Sequence, residues 1–373
     1  MRNSFQIGKI SGISIRIDYT WFVIFALVAW SLGDQYFPHV YGNRWNHITY
    51  WLIGVITAVI FFGSVLAHEL AHSLVSKSRG VPVRSITLFI FGGVAQISDE
   101  PKKPGSEFWM ALAGPLTSFG IGIVFGAVYL MARRSGTLLE ALALCLAVIN
   151  LSVAVFNLIP GYPLDGGRIL RSIIWKISGD LSGATRTASI VGRMVAYLLI
   201  LYGVWKVFSG DWIFGIWSAF IGWFLENAAS SSYRQVAIRE MLQGVKVSKI
   251  MITDCPKLPK GLTIRELVDE YILHTTHRCF PVIENDNVLG VVTLQNIKEV
   301  PRDQWETTKV EEAMTLLDKT KAVRPDDGLY AVLRQMAEEG ATQLPVIDNG
   351  QLVGMIARDN LASFISARSE LGV

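Results

Sequence analysis

His68 and His72 stand four residues apart in the run HELAH, residues 68–72. On a helix this spacing puts both imidazoles on one face, about 6 Å apart along the axis. One ring nitrogen from each can then converge on a single tetrahedral metal ion. Glu69, beside the first histidine, can reach water held at such a metal and act as general base. Zinc suits the task because bulk water is a poor nucleophile, whereas zinc-bound water has a pKa near 7. In a soluble protein the same H-E-x-x-H spacing also arises on ordinary charged helix faces. Here it interrupts an apolar stretch, where three ionisable side chains are costly unless they serve a site.

A catalytic zinc takes three protein ligands and keeps a fourth position open. Asp165, in NLIPGYPLDGGR at 157–168, is the candidate third ligand. Pro160 and Pro163 end the preceding helix, and Gly161, Gly166 and Gly167 free the backbone, so the carboxylate is presented from an irregular segment. Asn157, a turn or two earlier, can donate a hydrogen bond to the oxyanion of a tetrahedral intermediate. A turn aspartate and a helix-terminal asparagine are the plainer readings of these two residues.

The elements that must position these groups belong to a membrane protein. Of 373 residues, 51% are hydrophobic and 17% charged, against about a quarter charged in soluble domains, and mean hydropathy is +0.38. A net charge of +3 gives no reason to expect a nucleic-acid partner. Cys145, Cys255 and Cys279 are too few and too scattered for a disulfide framework or a cysteine metal site. Stretches able to cross a bilayer, about 20 residues each, are expected at 15–33, 48–78, 106–132, 138–159, 187–208 and 211–228, the first retained rather than cleaved as a signal peptide. Lys and Arg cluster before the first (Arg2, Lys9, Arg16), between the second and third (Lys77 to Lys103) and between the fourth and fifth (Arg168 to Arg186). That bias places both termini in the cytosol of a multi-pass protein, although Arg133 and Arg134 count the other way.

Between the second and third stretches, VPVRSITLFIFGGVAQIS (81–98) is β-branched and partly alternating, and Gly92–Gly93 supplies a turn, so it reads as strand-turn-strand. Such backbone within a membrane must be buried in protein or line a wet cavity; an interfacial hairpin is the alternative. Past residue 228 the composition becomes polar. Residues 229–245 read as a linker between a membrane domain (1–228) and a soluble module (246–373). That module repeats: FPVIENDNVLGVV at 280–292 aligns without gaps on LPVIDNGQLVGMI at 344–356. Each copy reads strand, helix, strand, turn, strand, helix.

HELAH in one span together with NLIPGYPLDGGR in a later one resembles the site-2 protease family of intramembrane metalloproteases, and the repeat resembles a tandem pair of cystathionine-β-synthase-type (CBS) domains. The resemblance implies an α-helical polytopic membrane domain of about six transmembrane helices with a membrane-associated β segment, followed by a soluble α/β CBS pair. It implies one Zn2+ per chain, with His68, His72 and Asp165 as ligands, Glu69 as general base and Asn157 stabilising the transition state. Gly92 and Gly93 match the family's membrane-inserted β region, where an edge strand could hold an unwound substrate. The implied substrate is a membrane protein cut within or next to a transmembrane segment, often a membrane-tethered regulatory protein, in a prokaryotic cytoplasmic membrane.

The CBS copies depart from the adenosine-binding pattern G-x-x-T/S-x-x-D. They read GVVTLQN and GMIARDN, so Asn296 and Asn360 replace the aspartate, Ala357 replaces the hydroxyl residue, and Asp359 is one position off. An adenine nucleotide as partner thereby loses ground to a structural, gating or homodimerising role. A CBS-regulated channel or transporter is the competing function. It would need polar residues in several spans, and it leaves HELAH and PLDGG without a role.

Overall fold

The computed structural model describes residues 4–42, 44–90, 92–97, 101–274, 279–284, 287–316, 322–349 and 351–371. The chain divides into two compact units, Met1–Val236 and Ala237–Val373.

The first unit opens on a hairpin, β1 (Ser4–Ile10) and β2 (Ile13–Asp18). Ile13, Ile15 and Ile17 are buried and alternate with Ser14, Arg16 and Asp18, the period-2 pattern of a strand with one covered face. The expected first span, 15–33, is therefore divided. Its start belongs to β2, and helix α1 (Tyr19–Trp30) begins only where Asp18 accepts a hydrogen bond from the Thr20 N–H. A π-helical stretch, Ser31–Tyr36, then leads into α2 (Phe37–Tyr41).

Helix α3 (His47–Ser78) carries HELAH and is capped by Asn46, whose side chain accepts from the Thr49 N–H at 2.8 Å. After it, β3 (Val83–Phe89) and β4 (Gly92–Ile97) form the expected strand-turn-strand. They join the N-terminal hairpin in one sheet ordered β1-β2-β3-β4, with β2 and β3 parallel and the other pairs antiparallel. β4 is an edge: among the described residues no strand pairs with its outer side.

Helices α4 (Pro104–Ala132), α5 (Leu138–Asn157), α6 (Asp165–Ser178), α7 (Leu181–Phe208) and most of α8 (Trp212–Leu242) complete the unit. Among the described residues four helices are long and apolar enough to cross a membrane: α3, α4, α5 and α7. The chain thus has a helical, membrane-type domain. α1 has only 12 residues, and the apolar first half of α8 runs directly into NAASSSYRQ. That polar run, expected as a linker, is helical through Leu242. Its serines fit a helix because Ser230 donates to Glu226 Oε1 and Ser232 to the Ala228 carbonyl, each one turn back. α7 and α8 pack through Gly203, Gly215 and Gly222, where a Cβ would strike the facing helix.

The second unit contains two small α/β repeats, with β5 (Leu258–Pro259), β6 (Cys279–Glu284), β7 (Asn287–Thr293) and β8 (Thr315–Leu316) in one sheet and β9 (Gln343–Asp348) with β10 (Gln351–Ala357) in the other. Val247 is buried in the core of the second repeat, with Val346 and Ile356, whereas Val310 is buried in the core of the first, with Phe280 and Val292. Each copy's leading segment thus fills its sister's core, which makes the two repeats one module.

Candidate metal centre

The centre is assembled on α3, α4 and the start of α6. His68 and His72, each 5% exposed, turn their Nε2 atoms toward one another at 3.1 Å. Asp165 Oδ2 lies 3.2 Å from His68 Nε2 and 3.1 Å from His72 Nε2. These three atoms are the described cluster suited to a metal ion. Ligand atoms at bond lengths of about 2.0–2.1 Å around a tetrahedral zinc stand about 3.3 Å apart, close to the separations found.

Tautomers decide what such a triangle can hold. His72 Nδ1 lies 2.6 Å from the Met110 carbonyl. A carbonyl only accepts, so Nδ1 carries the proton and the Nε2 lone pair is left facing the centre. His68 Nδ1 is held at 2.9 Å by the Ser118 hydroxyl. With His68 Nδ1 protonated toward the Ser118 oxygen, both Nε2 lone pairs and the Asp165 oxygen face one point that a cation would fill. Fixing each ring through its other nitrogen is the outer-shell arrangement typical of metal-binding histidines. The donor set fits zinc.

Both outer-shell groups come from α4, whose Gly114 also faces the site. A Cβ there would collide with the Nε2 atoms of His68 and His72. Gly114 is the clearance that lets the imidazoles approach α4. None of Met110, Gly114 or Ser118 is marked by the two metal motifs. Their signal is their spacing of four residues on one helical face.

Asp165 sits in the first turn of α6 because the preceding loop folds tightly back on that turn. A Cβ at Gly166 would strike the carbonyls of Leu158 and Ile159, and one at Gly167 the backbone of Gly161 and Tyr162. Tyr162 N–H is anchored on the Ala188 carbonyl of α7 at 3.2 Å.

Glu69 lies within electrostatic reach of His68, Asp165 and Arg168, and its carboxylate has no hydrogen-bond donor among the described residues. It is also where the β segment meets the centre: a Cβ at Gly93 would collide with the Glu69 side chain. Gly92, at φ +122°, adopts a backbone conformation that favours glycine. Asn157 is not drawn into the cluster. It ends α5, its amide donates to the Val153 carbonyl at 3.0 Å, and it borders an apolar groove with Phe156 and Trp217.

In the second unit a cavity of about 260 Å³ lies between the repeats, lined by Thr293, Lys298, Thr342, Ala357, Arg358 and Asp359. Asn296 is turned away from ligand duty: its Oδ1 accepts from the Thr293 N–H and hydroxyl, and its Nδ2 donates to Thr315 Oγ1.

The sequence model of peptidase family M50 matches residues 56–137 and 132–202. Rip3 of Mycobacterium tuberculosis, named as a zinc metalloprotease, is 34% identical over 98% of this chain and 93% of its own. The chain belongs to peptidase family M50. A zinc metalloprotease of Methanocaldococcus jannaschii is 29% identical over 98% of this M50 chain and 97% of its own. The solved site-2 protease of that organism, 31% identical, covers 62% of this chain and 95% of its own length, with a TM-score of 0.43. The CBS-domain model matches residues 247–303 and 310–367. This M50 member is thus a zinc metalloprotease of the site-2 type carrying a CBS pair.

Proposed function

We propose that His68, His72 and Asp165 hold one zinc ion per chain and that Glu69 is the general base for peptide-bond hydrolysis within or next to a transmembrane segment of a membrane protein, the substrates including membrane-tethered regulatory proteins. The observation that carries this reading is the convergence of His68 Nε2, His72 Nε2 and Asp165 Oδ2, with both histidines held through Nδ1. Zinc bound there supplies Lewis acidity and lets water be deprotonated near neutral pH. Glu69 takes the proton from the attacking water and returns it to the departing amine. Asn157 keeps one amide hydrogen beyond its bond to Val153, and that hydrogen is its donor for the oxyanion.

A helical substrate must be unwound before its carbonyl can be attacked. The open edge of β4 supplies main-chain hydrogen bonds for an extended segment, and Gly93 sets that edge against Glu69. Gly92 and Gly93 are thus substrate-binding positions in a β segment that lies at the membrane. In this reading residues 1–228 are the protease domain, α1 with the π-helical stretch that continues it and α8 complete six crossings, both termini are cytosolic, and 229–245 link to the CBS pair at 246–373. The CBS pair regulates access to the protease and dimerises; an adenine nucleotide would lie in the cavity at Lys298, Arg358 and Asp359, without Asn296.

The test is cleavage of a co-expressed membrane substrate together with zinc content. Glu69→Gln should keep zinc and lose cleavage, while Asp165→Ala should lose zinc. Wild-type cleavage by Glu69→Gln would end this account of the chemistry.

A further inference from the structure

Helix α4 presents Glu107, Met110, Gly114 and Ser118 at intervals of three, four and four residues, so all four lie on one face. The last three address the histidines. Glu107, 0% exposed, instead reaches across to α6. Arg171 Nε donates to Glu107 Oε1 at 2.6 Å, and the Arg171 Nη2 bonds the same oxygen. Arg171 is itself only 8% exposed. Its guanidinium lies 5.1 Å from the ring centre of Tyr162, in the loop that delivers Asp165.

A buried ion pair adds little net stability, because desolvating two charges offsets most of their attraction. Its value must lie elsewhere, and its position shows where. Arg171 follows Asp165 by six residues, about 9 Å along the α6 axis. The guanidinium grips both the body of α6 and the loop before its first turn. Glu107 belongs to the same helix face that orients the two histidines. One rigid element, α4, therefore holds all three lone-pair donors: His72 and His68 directly, and Asp165 through Arg171.

We propose that Glu107 and Arg171 are positioning residues that set the distance of Asp165 from the two imidazoles, and so the metal geometry. This rests on the ligand set proposed above. Two charge-assisted N–H donors converging on one carboxylate oxygen constrain the guanidinium's direction as well as adding energy.

The test uses full-length protein in detergent micelles, titrated with Co2+ and read by its visible absorption bands, with circular dichroism reporting folding. Glu107→Gln and Arg171→Met should bind Co2+ about 10- to 100-fold more weakly, with altered band positions. Arg171→Lys keeps the charge but not the fork, and should fall between them and wild type. The double variant Glu107→Leu/Arg171→Met removes both buried charges, so its fold should recover while its Co2+ affinity stays low. Wild-type affinity and bands in Arg171→Lys or in the double variant would overturn the proposal. Asp165→Ala, run alongside, separates the two claims: if it leaves affinity unchanged, the ligand set itself is wrong.

Discussion

Adding one methyl group at Gly114 tests the geometry of the centre without touching a ligand. The new Cβ of Gly114→Ala would fall on the Nε2 atoms of His68 and His72. The rings cannot simply swing aside, because their Nδ1 atoms are tied at 2.6 and 2.9 Å to Met110 and Ser118 of the same helix. Forcing a methyl into a packed interior costs about 1–3 kcal/mol, and losing one or both ring hydrogen bonds costs about 0.5–1.5 kcal/mol each. Without metal a ring can give up its Nδ1 bond and turn, whereas the loaded state needs both Nε2 atoms in place, so most of the cost falls on the loaded state. Taking about 1–3 kcal/mol at 1.4 kcal/mol per tenfold gives a metal affinity about 5- to 150-fold weaker. Competition with a chromophoric zinc chelator in micelles measures it. A folded Gly114→Ala protein with affinity within twofold of wild type would refute the placement of α4 against the site.

Other changes probe neighbouring parts of the argument. Ser118→Ala removes the hydroxyl that orients His68 and should weaken zinc binding about tenfold; an unchanged dissociation constant would show that His68 is held by packing alone. Gly93→Val should leave zinc content intact but push Glu69 aside, lowering the cleavage rate about a hundredfold, and a wild-type rate would detach β4 from catalysis. In the CBS pair, Glu266 accepts from the Thr263 N–H and hydroxyl at 2.8 and 2.9 Å, bonds that hold its carboxyl below the ordinary carboxylate range. A depressed pKa stabilises the fold above the unfolded value of about 4.3 and ceases to do so as pH falls through the folded one. Glu266→Gln should flatten the acid-side loss of hydrogen-exchange protection in residues 258–310; an unaltered profile would place that pH dependence elsewhere.

What could be read from the residues and what could not divide along physical lines. HELAH and PLDGG carry their chemistry in side-chain type and local spacing, so His68, His72 and Asp165, which the fold brings together, could be named before any fold was known. The β3–β4 hairpin was legible for the same reason, through its β-branched residues, although Gly92 and Gly93, expected in the turn, are the first two residues of β4 and pair with Phe89 and Leu88. The N-terminal hairpin was not. ISIRID precedes an apolar run, and its period-2 burial becomes evident only when β2 pairs in parallel with β3, Ser14 opposite Ser85 and Ile17 opposite Leu88. Glu107, Met110, Gly114 and Ser118 were silent for a related reason: their partners lie on other helices, and Met110 contributes through its carbonyl, which every residue possesses. The helical course of residues 229–242 was not legible because serine is a poor helix former on average, whereas Ser230 and Ser232 turn their hydroxyls back onto their own helix.

The central claim is a three-ligand zinc centre built from His68, His72 and Asp165, and X-ray absorption at the zinc edge on purified full-length protein addresses it most directly. The account predicts one zinc per chain, with two imidazole nitrogens at about 2.0–2.1 Å and carboxylate oxygen at about 2.0–2.2 Å, and loss of one imidazole contribution in His72→Ala. A sulfur ligand, or a shell unaltered in both His72→Ala and Asp165→Ala, would contradict it.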